Sequence, residues 1–357
     1  MNRVRKMRLF WSANVMVLKQ WKCKTALAAM AVLVMGPMAA HASQLSGDAR
    51  SSIPKDVQQI IVVDYKSMQN STAAMQLKDR VLPPELKRLE NALKSSGLKV
   101  DEDVETLAFA AYKAPAGSGA DGSTTAAAKG AASTSTSSNP ESRIIGVAQG
   151  QFQTAAVMAK FAKDKVKPSK IRNNEVYPMG SAGMSVVFLN QTTMVFGDKE
   201  AVRNALDARD GLIPNFLQNG DMMNEMVAVD SKAVWSLLDQ KGTQTMMMGV
   251  LGDASQLADY DTVKTRMKNA RYTMDFANGV KFQMTVSMSD TMTAATAATL
   301  MKGVAMMKKT SGSPTEKSAV DETTIESNSG VLTVEYSSSD SQFASLLGSP
   351  LFQSVVK

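Results

Sequence analysis

The sequence predicts an α+β fold made of two related halves, each ordered β-α-α-β-β-α-β-β-α, with antiparallel sheets and helices packed on one face. Three observations carry this. Phe152–Leu206 lies over Asp290–Ala344 without a gap, so that Ala155, Ala156 and Ala159 fall on Thr293, Ala294 and Ala297, and Asn190 falls on Asn328. In the same overlay Met194 and Phe196 meet Leu332 and Val334. Short runs of β-branched and aromatic residues come in pairs, as hairpins do. Alanine- and leucine-bearing stretches at helical spacing separate those pairs.

The elements follow in order. After a polar lead-in over 43–54, Val57–Tyr65 (VQQIIVVDY) reads as a buried strand. A helix is expected over Ser67–Val81, stopped by Pro83-Pro84. A second helix follows, with Leu86, Leu89 and Leu93 on one side and Gly97 past its end. Val104–Tyr112 alternates as a strand whose partner is Ser142–Gln151. Between them Ala114–Pro140, built of small and polar residues, reads as a disordered insertion. Asp198–Ala208 has the pattern of an amphipathic helix, and Gly211–Asp221 bridges the halves.

The second half is expected to repeat the programme. It begins with a strand at Met226–Val229, a helix at Lys232–Leu238 and a methionine-rich helical stretch to Leu251, with a further helix near Tyr260–Met267. Val63-Asp64-Tyr65-Lys66 and Val229-Asp230-Ser231-Lys232 then read as matched strand ends, each Asp capping the helix that follows. A hairpin of Tyr272–Phe276 and Val280–Met288 turns at Asn278-Gly279. A long helix over Thr291–Lys309, two strands and a helix over Ser341–Leu347 complete it. The boundaries are therefore 1–42, 43–210 with the insertion 114–140, and 211–357. The halves are free at this stage either to share one sheet or to face each other across a groove.

The N-terminus carries Arg3, Arg5, Lys6, Arg8, Lys19, Lys22 and Lys24, then an apolar run Thr25–Met38, then Ala40-His41-Ala42. That is the order of a Sec-type signal peptide cleaved after Ala42, which implies a periplasmic or secreted protein with no stable membrane anchor after cleavage. Met16 is an alternative start with a shorter lead. The chain's 40 Lys+Arg against 33 Asp+Glu give +7, and the leader holds the seven extra cations and no acid. A mature chain near neutrality lacks the positive field that nucleic acid requires, so nucleic acid is not an expected partner.

The leader also contains Cys23 and His41, the one cysteine and the one histidine. The mature chain then has no disulfide, no thiol or imidazole catalyst, and no Cys/His metal site; no cofactor and no metal are expected. Ser52-x-x-Lys55 and Ser96-x-x-Lys99 match the short S-x-x-K pattern, but a companion K-T-G is missing and Gly97 breaks the helix that would present Ser96. Asp101, Glu102, Asp103 and Glu105 lack the ligand spacing and central glycine of a calcium loop. No catalytic residues are assigned.

Methionine is the compositional excess, with clusters at Met222-Met223-Met226, Met246-Met247-Met248 and Met301-Met306-Met307. Thioethers suit Cu(I), and they also fill cores and adaptable apolar grooves. The expectation is a non-enzymatic binding protein of the bacterial cell envelope, engaging another envelope protein. The alternative is a carrier of a lipid or other apolar ligand held between the halves, and a methionine-based copper binder is the third reading. For the carrier, the ligand-facing residues would be Met274, Phe276, Phe282 and Met284 on the second half's hairpin.

Overall fold

A computed structural model describes residues 44–81, 87, 90–91, 93–94, 98–114, 142–179, 183–251 and 260–349. The expected leader with its expected cleavage site, Pro83-Pro84, Leu86, Leu89, Ser96, Gly97 and nearly all of the expected insertion lie outside them. Among the described residues no helix is long and apolar enough to cross a membrane.

The described residues are α+β, around one antiparallel sheet of twelve strands in the order β11-β12-β10-β9-β8-β1-β2-β3-β7-β6-β5-β4. The first half supplies β1 (Val57–Asp64), β2 (Val104–Lys113), β3 (Ser142–Gly150), β4 (Ser169–Ile171), β5 (Asn174–Met179), β6 (Met184–Phe188) and β7 (Thr193–Asp198). The second supplies β8 (Val234–Leu238), β9 (Met267–Asp275), β10 (Val280–Met288), β11 (Thr323–Asn328) and β12 (Val331–Ser338). The halves share this sheet, joined where β1 pairs with β8, Ile61 opposite Ser236 and Val63 opposite Val234.

Outward from that seam both halves run in the same order: β1-β2-β3-β7-β6 one way and β8-β9-β10-β12-β11 the other. The displacement that lays Phe152–Leu206 on Asp290–Ala344 also carries Ser142–Gly150 onto Val280–Met288, the bounds of β3 and β10. The match is one of order and register; it describes how the sheet is laid out, not how the sequence arose.

The helices are α1 (Gly47–Ser51), α2 (Tyr65–Gln69), α3 (Thr72–Val81), α4 (Val100–Asp103), α5 (Thr154–Lys163) and α6 (Lys199–Arg209) in the first half. In the second they are α7 (Gly220–Val227), α8 (Gln240–Leu251), α9 (Tyr260–Thr265), α10 (Thr291–Ser311), α11 (Pro314–Asp321) and α12 (Asp340–Leu347).

Residues directly opposite on neighbouring strands share a face of the sheet, and the pairings define two faces. The upper face is roofed on either side of its centre. Met247, Val263, Ala294 and Ala297 of α8–α10 pack on Met284, Val286 and Leu332. Met68, Ala74, Phe343 and Leu347 of α2, α3 and α12 pack with Val234 and Val280. Val157 and Phe161 of α5 pack on Val186, Met194 and Phe196. The lower face is covered over the first half and the seam, where Ala49, Val202, Leu206, Phe216, Met222 and Met226 meet Ile60, Val62, Val147, Trp235 and Leu237. Beyond β8 it is bare and polar: Lys281, Gln283, Thr324, Glu326 and Glu335 stand exposed there.

Several elements differ from the expected ones. Met226–Val229 is not a strand and Lys232–Leu238 is not a helix: α7 ends at Val227, and β8 occupies Val234–Leu238. VWSLL is buried at every position because it lies between β1 and β9 with both faces covered, and so short an apolar run has no period to separate helix from strand. The matched charge pair fails with it. Asp64 does cap, accepting from Ser67 N at 2.9 Å, but its counterpart at the end of β8 is Asp239, which accepts from Gly242 N at 2.7 Å.

The lead-in is also more ordered than expected. Ser46 caps α1, and Ala49 and Ile53 are buried. The polar connection of the first half contains the β4–β5 hairpin, turning at Arg172 with φ 54°. The corresponding stretch of the second half contains α11, which opens with Pro314 and a capping box between Ser313 and Glu316.

Candidate functional site

Three rows of side chains cross the upper face through the seam. The middle row runs Ile325, Val334, Met284, Tyr272, Ser236, Ile61, Phe109, Gly146, Phe196, Val186, Tyr177, one residue from each of eleven strands. Beside it run Leu238, Gln59, Ala111 and Ile144, and on the other side Phe282, Met274, Val234, Val63 and Leu107. At the flanks these rows are sealed beneath helices. At the seam they are not: Gln59, Ile61, Phe109, Ala111, Tyr272, Met274 and Phe282 are half-buried, and Ile144 is 56% exposed. Among the described residues, Ile61, Ala111 and Ile144 belong to none of the packed clusters of the core.

Within this apolar strip stands one polar group of three residues drawn from both halves. Gln59 Nε2 lies 3.4 Å from Ser236 Oγ and 3.4 Å from Tyr272 Oη, donating to both. Ser236 is wholly buried, which an unbonded hydroxyl would resist. Burial pushes the Tyr272 phenol above its ordinary pKa, against hydrogen bonds from Ser236 and Gln59 that lower it. The phenol therefore stays protonated and can donate to an acceptor on the strip. Gly146 makes room on the β3 side for the Phe196 ring: a Cβ there would sit 2.1 Å from that ring, which stands edge-on to Phe109 at 5.9 Å between centroids.

The hairpin residues expected to face a ligand divide into two pairs. Met274 and Phe282 are directly opposite, half-buried, at the margin of the strip. Met284, 3% exposed, is packed beneath α8–α10, and Phe276, 8% exposed, lies past the end of β9 among Val280, Phe343 and Leu347. Sequence reasoning did not single out Gln59, Ile61, Phe109, Ile144, Ser236 or Tyr272. The available signal is Gln58-Gln59 near the start of an otherwise apolar strand, which points to no partner where Lys232–Leu238 is expected to be a helix.

A larger cavity of about 950 Å3 opens where β1 begins and β8 ends, between α7 and the start of α8. Lys55, Lys113, Lys241 and Lys268 face Asp56, Asp221, Glu225 and Asp239 there, a balanced set of charges. Glu225 pairs with Arg271 of β9. Burial raises the Asp239 carboxyl, and hydrogen bonds from the Gly242 and Lys241 amides act against it. A smaller cavity of about 320 Å3 lies beside α5, where Tyr177 Oη donates to Glu175 at 2.6 Å and the Tyr177 ring stacks on Phe161 at 4.7 Å.

Of the S-x-x-K serines, Ser52 is wholly buried and its hydroxyl donates to Ala49 O at 2.8 Å. The acidic cluster forms the short α4 and the start of β2, with Asp103 accepting from Lys99 N at 2.8 Å and Glu102 paired with Lys99 at 2.8 Å. The methionine clusters are split: Met222, Met226 and Met247 are buried, while Met248, Met306 and Met307 face outward.

No family model matches the chain, and neither does any curated protein. Among solved structures, crystal form I of TP0453 is 10% identical, with a TM-score of 0.47 over 88% of this chain and 99% of that one. Crystal form III gives 11% identity and 0.47 over 85% and 97%. Crystal form IV gives 10% and 0.43 over 87% and 98%. Likeness at that level carries nothing about function.

Proposed function

We propose that this is an exported, non-enzymatic binding protein whose ligand is an apolar molecule with one hydrogen-bonding group, held on the upper face at the seam between the halves. The observation that supports the reading is the half-buried strip of Ile61, Phe109, Met274 and Phe282 around the Gln59–Ser236–Tyr272 group, with Ile144 exposed at its edge. Ligand sites are commonly concave, mostly apolar surfaces with a few convergent polar groups that fix orientation, and this strip has that composition. Covering it would remove water from side chains that the core leaves half-wet, at about 25 cal/mol for each Å2 of apolar surface. Export rests on the leader's order of basic, apolar and small residues.

The test is native mass spectrometry on detergent-free protein from an exporting host, with titration by a fluorescent fatty acid. Expected is an added mass of lipid size and saturable probe binding, both lost in Ile144→Glu and Ile61→Asp. A bare mass with no saturable binding, or binding that survives both substitutions, would sink the reading.

A second reading, a protein partner, has its own support. Among the described residues β11, Thr323–Asn328, is an edge strand with no strand on its outer side, and an extended segment could add there. A bare mass together with a specific co-purifying protein lost on Ile325→Pro would favour it.

A further inference from the structure

The helix α10 is built inside out. Its inward positions are small, Thr293, Ala294, Ala297 and Ala298 with Met301, while three of its long side chains point away from the sheet. Met292 is 76% exposed, Met306 72% and Met307 67%; on the neighbouring α8, Met248 is 47% exposed. Core filling does not account for these four, because the core beneath them is made by other methionines: Met247 and Met267 at 0%, Met284 at 3%, Met288 at 4% and Met301 at 8%. One patch of the molecule thus carries two populations of thioether, one in water and one sealed.

We propose that the outer surface of α10 and α8 is a site of reversible methionine oxidation, the first target on this protein for hydroperoxides and hypohalous acids. The step balances without a further reactant. With hydrogen peroxide a sulfur lone pair attacks one peroxide oxygen, the O–O bond breaks as the S–O bond forms, and water leaves after proton transfer; an organic hydroperoxide releases its alcohol instead, and a hypohalous acid releases halide and a proton. Sulfur is oxidised by two electrons and the peroxide is reduced by two.

Exposure sets which sulfurs react, because a sealed thioether must wait for local opening. It also sets the consequence: a sulfoxide is polar and disrupts a core, but on the outside of α10 it displaces no packed neighbour. The outward thioethers can therefore take up oxidant while the fold stands. Their exposure also leaves the sulfoxides open to the enzymes that reduce them, one for each epimer.

The experiment treats the native full chain with limiting hydrogen peroxide and maps sulfoxides by peptide mass spectrometry over time. Expected is sulfoxide at Met248, Met292, Met306 and Met307 at least about tenfold faster than at Met247, Met267, Met284, Met288 and Met301. In urea the nine should react alike. The melting temperature should be unchanged once the four are oxidised, and the paired sulfoxide reductases should restore them in the folded protein. The variant carrying Met248→Leu, Met292→Leu, Met306→Leu and Met307→Leu keeps side-chain volume and should fold, yet lose the fast phase of peroxide consumption. Buried and exposed methionines oxidising together, a melting temperature that falls as the four react, or sulfoxides that resist the reductases would each overturn the proposal.

Discussion

Tyr112 and Asn204 join β2 to α6 across the lower face. Tyr112 is wholly buried, Asn204 is 2% exposed, and Asn204 Nδ2 donates to Tyr112 Oη at 3.0 Å. Tyr112→Phe deletes the acceptor and leaves a buried amide donor, so a loss of about 1–3 kcal/mol is expected. Asn204→Leu strands the phenol and should cost a similar amount. With both replaced, no buried polar group is orphaned, and the double variant should be more stable than the sum of the singles by about 1 kcal/mol or more. Urea denaturation followed by far-UV circular dichroism measures all four corners of the cycle.

The same pair has a pH signature. Burial pushes the Tyr112 phenol up to about 12, with the Asn204 hydrogen bond acting against it. An exposed tyrosine in the unfolded chain titrates near 10. Between those values the native state keeps the proton and the unfolded state loses it, so stability is full below about pH 10 and falls as pH rises toward 12. At about 1.4 kcal/mol for each unit, Tyr112 alone accounts for a loss of about 2 kcal/mol by pH 12. The Phe variant lacks that group, and its deficit relative to the parent should shrink by this amount across the window. Additivity of the cycle within about 0.5 kcal/mol, or a deficit that stays constant from pH 10 to 12, would refute the placement of this pair in the core.

Three glycines make opposite predictions. Gly303 lies in the middle of the 21-residue α10 with no atom within 4 Å of an added Cβ, so Gly303→Ala should stabilise by about 0.5–1 kcal/mol in urea. Gly242, in the first turn of α8, would place a Cβ 2.3 Å from Gln58 O; backbone cannot yield as a side chain does, and Gly242→Ala should lower the urea midpoint despite alanine's better helix propensity. Gly146→Ala drives a methyl into the Phe196 ring and should cost about 1–3 kcal/mol, an effect that Phe196→Leu in the same chain should partly relieve.

Much of the sheet was legible because alternation is a strong signal when one face is wet. β10 reads Val280, Phe282, Met284, Val286 inward and Lys281, Gln283, Thr285, Ser287 outward, and its bounds are those expected. β8 failed for the opposite reason: wet on neither side, it has no alternation to read. The β4–β5 hairpin was lost in a polar stretch because its strands are short and at the sheet's edge, where Lys170, Glu175 and Pro178 face solvent. The helix α11 was legible and missed, since Ser313-Pro314-Thr315-Glu316 is a capping box with proline at the first helical position. The site residues were beyond reach for a different reason. Gln59, Ser236 and Tyr272 are far apart in sequence, and only the pairing of β1 with β8 brings the first to the other two.

The two halves also part company at their last helix, and this explains where the open surface lies. By the shared displacement, α6 after β7 corresponds to α12 after β12. Yet α6 folds to the lower face, with Val202 and Leu206 on Val147 and Val195, whereas α12 folds to the upper face, with Phe343 and Leu347 near Val280. The strands beneath dictate the choice. β3 and β7 offer apolar side chains on both faces, so α6 finds a lower-face bed while α5 roofs the upper one. β10 and β12 offer buried apolar residues on the upper face, while Lys281, Gln283 and Glu335 stand exposed on the lower one, so α12 takes the upper face and occupies the end of it nearest Val234. Roofs that arrive from different directions leave Ile61 of β1 and Phe109 and Ala111 of β2 half-buried, while β8 is covered on both faces. A strictly symmetric pair of halves would bring matching helices to the seam from both sides; here the seam keeps half-wet apolar side chains around a buried serine. The asymmetry of the closing helices, set by which strand faces are polar, is therefore what leaves half-buried apolar side chains at the centre of the sheet.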